Sequence, residues 1–228
     1  MINNMPKVNF IMPMKGHSER VPNKNLKIFV NKPLFHYVLE ELLKSKYLEN
    51  VYINTDSEKI IENVSDFFPS VKIINRPTEL VGDFVSMNKI IEYDLSQING
   101  QVFLQTHSTN PLLTVDTLDK GIEAFFKNQD KHDSVFSVTK WQTRFYWQDG
   151  SPINHNPQEL LRTQDLPPMF EENSNFYIFT KDSFKASGGK RIGVKPFMFE
   201  MPPMEAVDID TEFNFNLAQH IYKTLNNI

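Results

Sequence analysis

Lys15, Gly16, Ser18, Arg20, Lys24 and Asn25 crowd into eleven residues just after a short apolar run, Val8–Met12, that Pro13 ends. Cations, a hydroxyl and a loop rich in free backbone N–H groups are what a polyphosphate needs around it. The Gly-x4-Gly-Lys-Ser/Thr spacing of a Walker loop is absent, and a basic surface turn has the same composition. Position favours the phosphate reading, because the loop follows the first strand, where open α/β proteins hold their ligands. A second chemical signal lies near the other end of the chain, at Val207–Glu212. Asp208 and Asp210 stand two apart, so an extended backbone turns both carboxylates to one face. Such a pair suits a magnesium ion that also takes phosphate oxygens; the alternative is that Asp210 and Thr211 only start a helix.

The elements that must position these groups alternate along the chain. A helical pattern opens at Lys32-Pro33 and carries Leu34, Tyr37, Val38, Glu41, Leu42 and Ser45 at spacings of three and four. Val51–Thr55 reads as a strand, Ser57–Phe67 as a helix capped by Ser57, and Val71–Ile74 as the next strand. After the loop Arg76–Asp83 come a helix over Ser86–Leu95, a strand over Gln101–Gln105, and a helix from Thr114 to near Lys127. Phe176–Phe179 reads as a strand, and Glu212–Tyr222 as a closing helix with Phe215, Leu217, Ala218 and Ile221 inward. This βαβα succession predicts an α/β fold with a doubly wound, mostly parallel sheet.

Residues 140–172 break the rhythm. Trp141–Pro168 is rich in aromatics, proline, Asn and Gln, and has no helical period. It reads as a small β-rich excursion from a single domain spanning 1–228. Phe145, Tyr146 and Trp147 in it either form the interface of a homodimer or fold back on their own core.

Composition limits the partners. A net charge of −4 opposes a nucleic-acid surface, so an anionic partner must be small and locally held. With no cysteine there is no thiolate nucleophile, zinc–thiolate site or disulfide. No apolar run is long enough to span or target a membrane, and the expectation is a cytoplasmic protein with no membrane partner.

The chain resembles the acylneuraminate cytidylyltransferases, the CMP-sialic acid synthetase group. Met14–Asn25 is similar to the family's Ala-Arg-x-x-Ser-Lys-x-x-Pro-x-Lys-Asn, and Asn31–Leu34 to its Gly-Lys-Pro-Leu. Asn54–Asp56 resembles Ser-Thr-Asp, Arg76–Asp83 is Arg-Pro-x-Glu-Leu-x-x-Asp, and Arg162–Pro168 repeats Arg-x-Gln-Asp-Leu-Pro-Pro. Asn173–Tyr177, Lys190–Gly193 and Asp208–Thr211 complete a series that runs nearly the whole length in order. The resemblance implies a Rossmann-like nucleotidyltransferase fold and transfer of CMP from CTP to an acidic 3-deoxy-2-keto sugar, with release of pyrophosphate. It also implies Mg2+ on Asp208 and Asp210, and catalytic roles for Lys24, Asp210 and Lys15. The nucleotide would meet Lys15, Gly16, Ser18, Arg20, Lys24, Asn25, Arg76 and Ser86. The sugar would meet His107, Thr109, Asn110, Arg162 and Gln164.

The departures from that pattern are specific. Glu19 stands where the family has lysine, Lys15 where it has arginine, Met87 where a second serine follows Ser86, and Ala206 where a serine is common. The motif Gln-Pro-Thr-Ser-Pro-Leu-Arg appears as His107–Leu113, with His107 for the glutamine and Leu113 for the arginine. His107 reads as an acceptor contact, as a general base, or as a satisfied histidine at a strand end. Two other functions stay open: a catalytically weakened nucleotide-sugar binding module, and a nucleotidyltransferase with a different acceptor or nucleotide.

Overall fold

The computed structural model describes residues 6–228. In chain order its elements are β1 (Val8–Ile11), β2 (Ile28–Phe29), β3 (Lys32–Pro33), α1 (Leu34–Leu43), β4 (Leu48–Thr55), α2 (Glu58–Phe67) and β5 (Lys72–Asn75). Then follow α3 (Met87–Gln97), β6 (Val102–Thr106), α4 (Val115–Lys127), β7 (Ser134–Trp141), β8 (Met169–Thr180), α5 (Lys181–Ala186), β9 (Pro196–Glu200) and α6 (Glu212–Asn226).

Seven strands form one sheet in the order β5-β4-β1-β6-β8-β7-β9. β1 lies parallel to both β4 and β6, and β4 to β5. β8 runs antiparallel between β6 and β7, and β9 closes the edge parallel to β7. Every residue of β1 is buried, as a central strand covered on both faces requires. Adjacent side chains point to opposite layers. Phe10 joins a core with Phe35, Val38, Leu118 and Ile122 from α1 and α4, whereas Ile11 joins Ile91, Leu95 and Phe184 from α3 and α5. Each such side chain contributes about 1.5–3 kcal/mol on burial. α4 sits so close to β8 that a Cβ on Gly121 would lie 2.7 Å from the Phe176 ring.

The helices begin where side chains can satisfy their free N–H groups. Ser57, Ser86 and Thr114 cap α2, α3 and α4, and Thr211 forms a reciprocal capping box with Asn214 at α6. Each cap is worth about 1 kcal/mol.

Several expected boundaries move. Lys32-Pro33 pairs with Ile28-Phe29 as a small hairpin instead of opening α1, because Pro33 holds an extended backbone, and Ser45 lies past the helix, bonded to Asp119. β7 and β9 were not anticipated, and β8 is longer than Phe176–Phe179. On α6, Leu217 is 40 % exposed, since the core-facing side carries Phe215 and Ala218, with Tyr222 packed against Phe29 and Tyr37. In the arm, β structure is confined to its stems, β7 and β8, and to a bridge between Tyr146 and Pro152. Tyr146 and Trp147 are exposed, and Phe145 is half-buried. Among the described residues no helix is long and apolar enough to cross a membrane.

Candidate active site

A cleft of about 410 Å³ opens at the carboxyl ends of β1 and β6, where the strand order reverses. Its first wall is the loop after β1, and its opposite wall is the acidic segment before α6. Lys24 joins them: its Nζ donates to the carbonyl of Ile209, 185 residues away in sequence, and stands 3.8 Å from Asp210 Oδ1. Arg20 Nη2 reaches the same Asp210 oxygen at 2.9 Å. Burial lowers the Lys24 pKa, and Asp208 and Asp210 oppose that shift by favouring the ammonium. Asn23, in the left-handed region at φ 51°, makes the turn that aims Lys24 inward.

The rest of the loop is held by fixed partners. Lys15 Nζ bonds Asp83 Oδ1 at 2.5 Å, and the Gly16 N–H donates to Asp56 Oδ1 at 2.9 Å. A Cβ on Gly16 would come 2.9 Å from Ser57 Cβ, so the loop packs directly on the start of α2. Asn25 donates to the Lys15 carbonyl at 3.0 Å and accepts from Ser108 Oγ at 2.7 Å. Its amide thus braces the loop internally at Lys15 and ties it to the segment after β6 at Ser108, and Asn25 also lines the cleft, with a second amide N–H left over. Ser18 is buried and lines the cleft; Gly16 does not line it, and Arg20 is exposed and meets it only through Asp210.

Arg76 enters after β5 and is clamped by Asn54: Nε donates to Asn54 Oδ1 at 2.6 Å, and Nη2 to the Asn54 carbonyl at 3.0 Å. Asn54 in turn donates to the fully buried Asp94 Oδ1 at 2.6 Å, whose carboxyl desolvation pushes up to about 7. Ser86 spends its hydroxyl on the cap of α3, and Met87 lines the cleft in its place.

Past β6, His107, Thr109 and Asn110 all line the cleft. Burial, reinforced by the positive charge of Arg191 and Lys24, pushes His107 down to about 3. It is therefore a neutral imidazole at physiological pH and too weak a base for the general-base reading. Thr109 holds the acidic segment, accepting the Ile209 N–H on its carbonyl at 3.0 Å. Asn110 is buried with both amide atoms unpartnered among the described residues. Arg162 and Gln164 are not brought here: both are exposed on the arm, and Arg162 forms a bidentate pair with Asp165 at 2.7 and 3.1 Å.

Two cleft residues were not singled out from the sequence. Ser174, at φ 57°, sits in a bulge where β7 and β8 lose register between Phe136 and Val138, and Arg191 follows α5. Both fall within recognisable family segments, but only the fold shows that they face the ligand space.

Among the described residues no three His, Cys, Asp or Glu side chains converge to hold a metal unaided. The Asp208–Asp210 pair nevertheless suits a cation that takes its remaining ligands from phosphate. Asp208 Oδ1 is buried without a hydrogen-bond partner, and desolvation, with Asp210 adding to it, raises that carboxyl pKa. A divalent ion would relieve both.

The cytidylyltransferase family signature matches residues 9–226. A pseudaminic acid cytidylyltransferase of Campylobacter jejuni is 28% identical over 226 residues, covering 93% of this chain and 95% of its own. An N-acylneuraminate cytidylyltransferase of Oncorhynchus mykiss is 30% identical over 217 residues, covering 90% of this chain and 48% of its own. Among solved structures, a CMP:2-keto-3-deoxy-manno-octonic acid synthetase complexed with CTP superposes with a TM-score of 0.72 at 13% identity, over 96% of this chain and 99% of that one.

Proposed function

The chain belongs to the cytidylyltransferase family, and from that premise we propose that it transfers CMP from CTP to an acidic 3-deoxy-2-keto sugar. The observation that carries this reading is the meeting of Lys24 with Ile209 and Asp210, which sets a phosphate-type loop against an acidic pair across one cleft. The relatives bear names of the same reaction class, with pseudaminic and N-acylneuraminic acids as their sugars.

The reaction joins the sugar hydroxyl oxygen to the α-phosphorus of CTP, breaks the bond from that phosphorus to the β-bridging oxygen, and releases pyrophosphate and the hydroxyl proton. A triphosphate and a carboxylated sugar repel each other, so catalysis rests on charge neutralisation and alignment. Lys24 is half-buried and its Nζ is held by the Ile209 carbonyl, a posture that costs little reorganisation when a phosphate oxygen arrives. Lys15 exchanges Asp83 for phosphate, keeping a point charge where a guanidinium fork would be directional. Arg76, fixed by Asn54 and Asp94, borders the nucleotide side. Asp208 and Asp210 would hold magnesium, which would neutralise phosphate charge and polarise the α-phosphoryl group. The neutral His107 and the unpartnered Asn110 amide offer hydrogen bonds to sugar hydroxyl or acylamino groups.

We further propose a homodimer formed through the arm. Tyr146, Trp147 and Leu160 are 54%, 64% and 91% exposed there, and Arg162 and Gln164 would reach a partner's cleft rather than their own. The proposed place of action is the cytoplasm, where CTP is held.

The test is pyrophosphate release from each of the four nucleoside triphosphates with N-acetylneuraminic, legionaminic and pseudaminic acids in magnesium buffer. Turnover with CTP and at least one sugar acid is expected. Silence across the panel, or turnover only with another nucleotide, would overturn the proposal.

A further inference from the structure

The cations of the cleft divide by partner. Lys15 is paired with Asp83, and Lys24 and Arg20 share Asp210. Arg76 is occupied by Asn54 and by the Met14 carbonyl. Arg191 differs: its one hydrogen bond among the described residues runs from Nη1 to the neutral Gln105 Oε1, at 2.7 Å. No described carboxylate lies within ion-pair distance of it. Its guanidinium carbon stands 3.9 Å from the centroid of the Tyr177 ring, and the Tyr177 hydroxyl is itself bonded to Glu172 and Ser174. Gln105 is fully buried and also anchored to the Thr106 carbonyl. A half-buried guanidinium is therefore fixed in the cleft against Gln105 of β6 and Tyr177 of β8, with no carboxylate paired to it among the described residues.

A fixed, unpaired guanidinium in a cleft is built for a planar anion, because its donors match a carboxylate in a fork. The first-loop cations already carry counter-charges that a triphosphate and its metal displace, and Arg76, on the nucleotide side, has Nε and Nη2 committed to Asn54 and the Met14 carbonyl. Arg191 shares its wall with His107 and Asn110, which present neutral hydrogen-bonding groups suited to the hydroxyls and amides of a sugar. Resting on the transferase reading above, we propose that Arg191 binds the carboxylate of the acceptor, and that Gln105 and Tyr177 are the positioning residues that hold it there. The cleft thereby selects sugar acids over neutral sugars through one residue outside the phosphate loop.

The test uses the full chain, its R191Q and R191K variants, and the three sugar acids named above beside their uncharged C1 amides. Wild type is expected to favour acid over amide by about 100-fold in kcat/KM, as loss of a charged partner implies. R191Q should raise the acceptor KM about 30-fold, leave the CTP KM within about twofold, and abolish the preference for acid over amide. R191K, which keeps charge without the fork, should recover part of the loss. An unchanged acceptor KM, a rise in the CTP KM instead, or retained preference in R191Q would overturn the assignment. If wild type turns over no acceptor, the transferase reading fails, and calorimetric binding of the acids and amides still decides for Arg191: equal affinity in wild type and R191Q refutes it. Thermal melts of both variants separate misfolding from lost recognition, and R191K, which can still cover Tyr177, serves if R191Q does not fold.

Discussion

Asp210 is touched by Arg20 and Lys24 and faces the cleft, yet its side chain is 43% exposed and buries no core group. Its replacement therefore separates chemistry from folding. Asp210→Asn is expected to lower kcat by about 100-fold or more, the scale of a lost electrostatic contact at developing charge, with little change in melting temperature. His107 makes the opposite prediction. Because it stays neutral to about pH 3, it supplies no titration near neutrality, and His107→Gln should leave the shape of the kcat/KM profile between about pH 6 and 8 unchanged. Loss of an acidic limb in that variant would restore the general-base role. Asp94 gives a pH-dependent stability. Its folded pKa, raised to about 7, lies above the ordinary carboxylate value of about 3.9, so the folded chain holds more protons than the unfolded chain between those limits. Stability from this group is full below that window and falls as pH rises through it. Asp94→Asn can still accept from Asn54, and its melting temperature should exceed wild type at about pH 8 and vary less between about pH 5 and 8.

At the scale of elements, tight backbone approach replaces side-chain bulk at Gly121, as it does at Gly16 in the loop after β1. Gly121→Ala would drive a Cβ into the Phe176 ring between α4 and β8, and should destabilise by about 1–3 kcal/mol in denaturant titration. Such contacts are invisible in sequence, whereas caps are not. Ser57, Thr114 and Thr211 announce their helices because their hydroxyls can close the first turn, and the alternation of apolar strands and capped helices is enough to specify the β1–α4 half. The far side of the sheet was harder to read. β9 starts at Pro196 on an edge and is only partly buried, so it lacks a continuous apolar run. β8 carries Glu171, Glu172, Asn173 and Ser174 through its first half, where the bulge against β7 turns Ser174 toward the cleft. Of the site, Lys24 and the Asp pair could be read locally because loop and extended segment each place their own groups. The bracing amide of Asn25 and the unpaired charge of Arg191 depend on partners distant in the chain.

At the scale of the whole molecule, the cleft is built by the switch of strand order between β1 and β6, and the arm's exposed aromatics are not among its lining. An exposed patch of this kind predicts association through like faces. Light scattering should give twice the 26.6 kDa chain mass, and Trp147→Glu should return it to the monomer. Because Arg162 and Gln164 sit on that arm, the monomer should also show a raised acceptor KM with the CTP KM unchanged. The measurement that reaches the central claim most directly follows the phosphorus: CTP labelled at the α-phosphate is incubated with magnesium and a sugar acid, with wild type and Asp210→Asn in parallel. The account predicts label in a sugar–CMP conjugate and unlabelled pyrophosphate, with conjugate formation nearly lost in the variant. Label that stays in CTP, or a conjugate formed equally by both proteins, would contradict it.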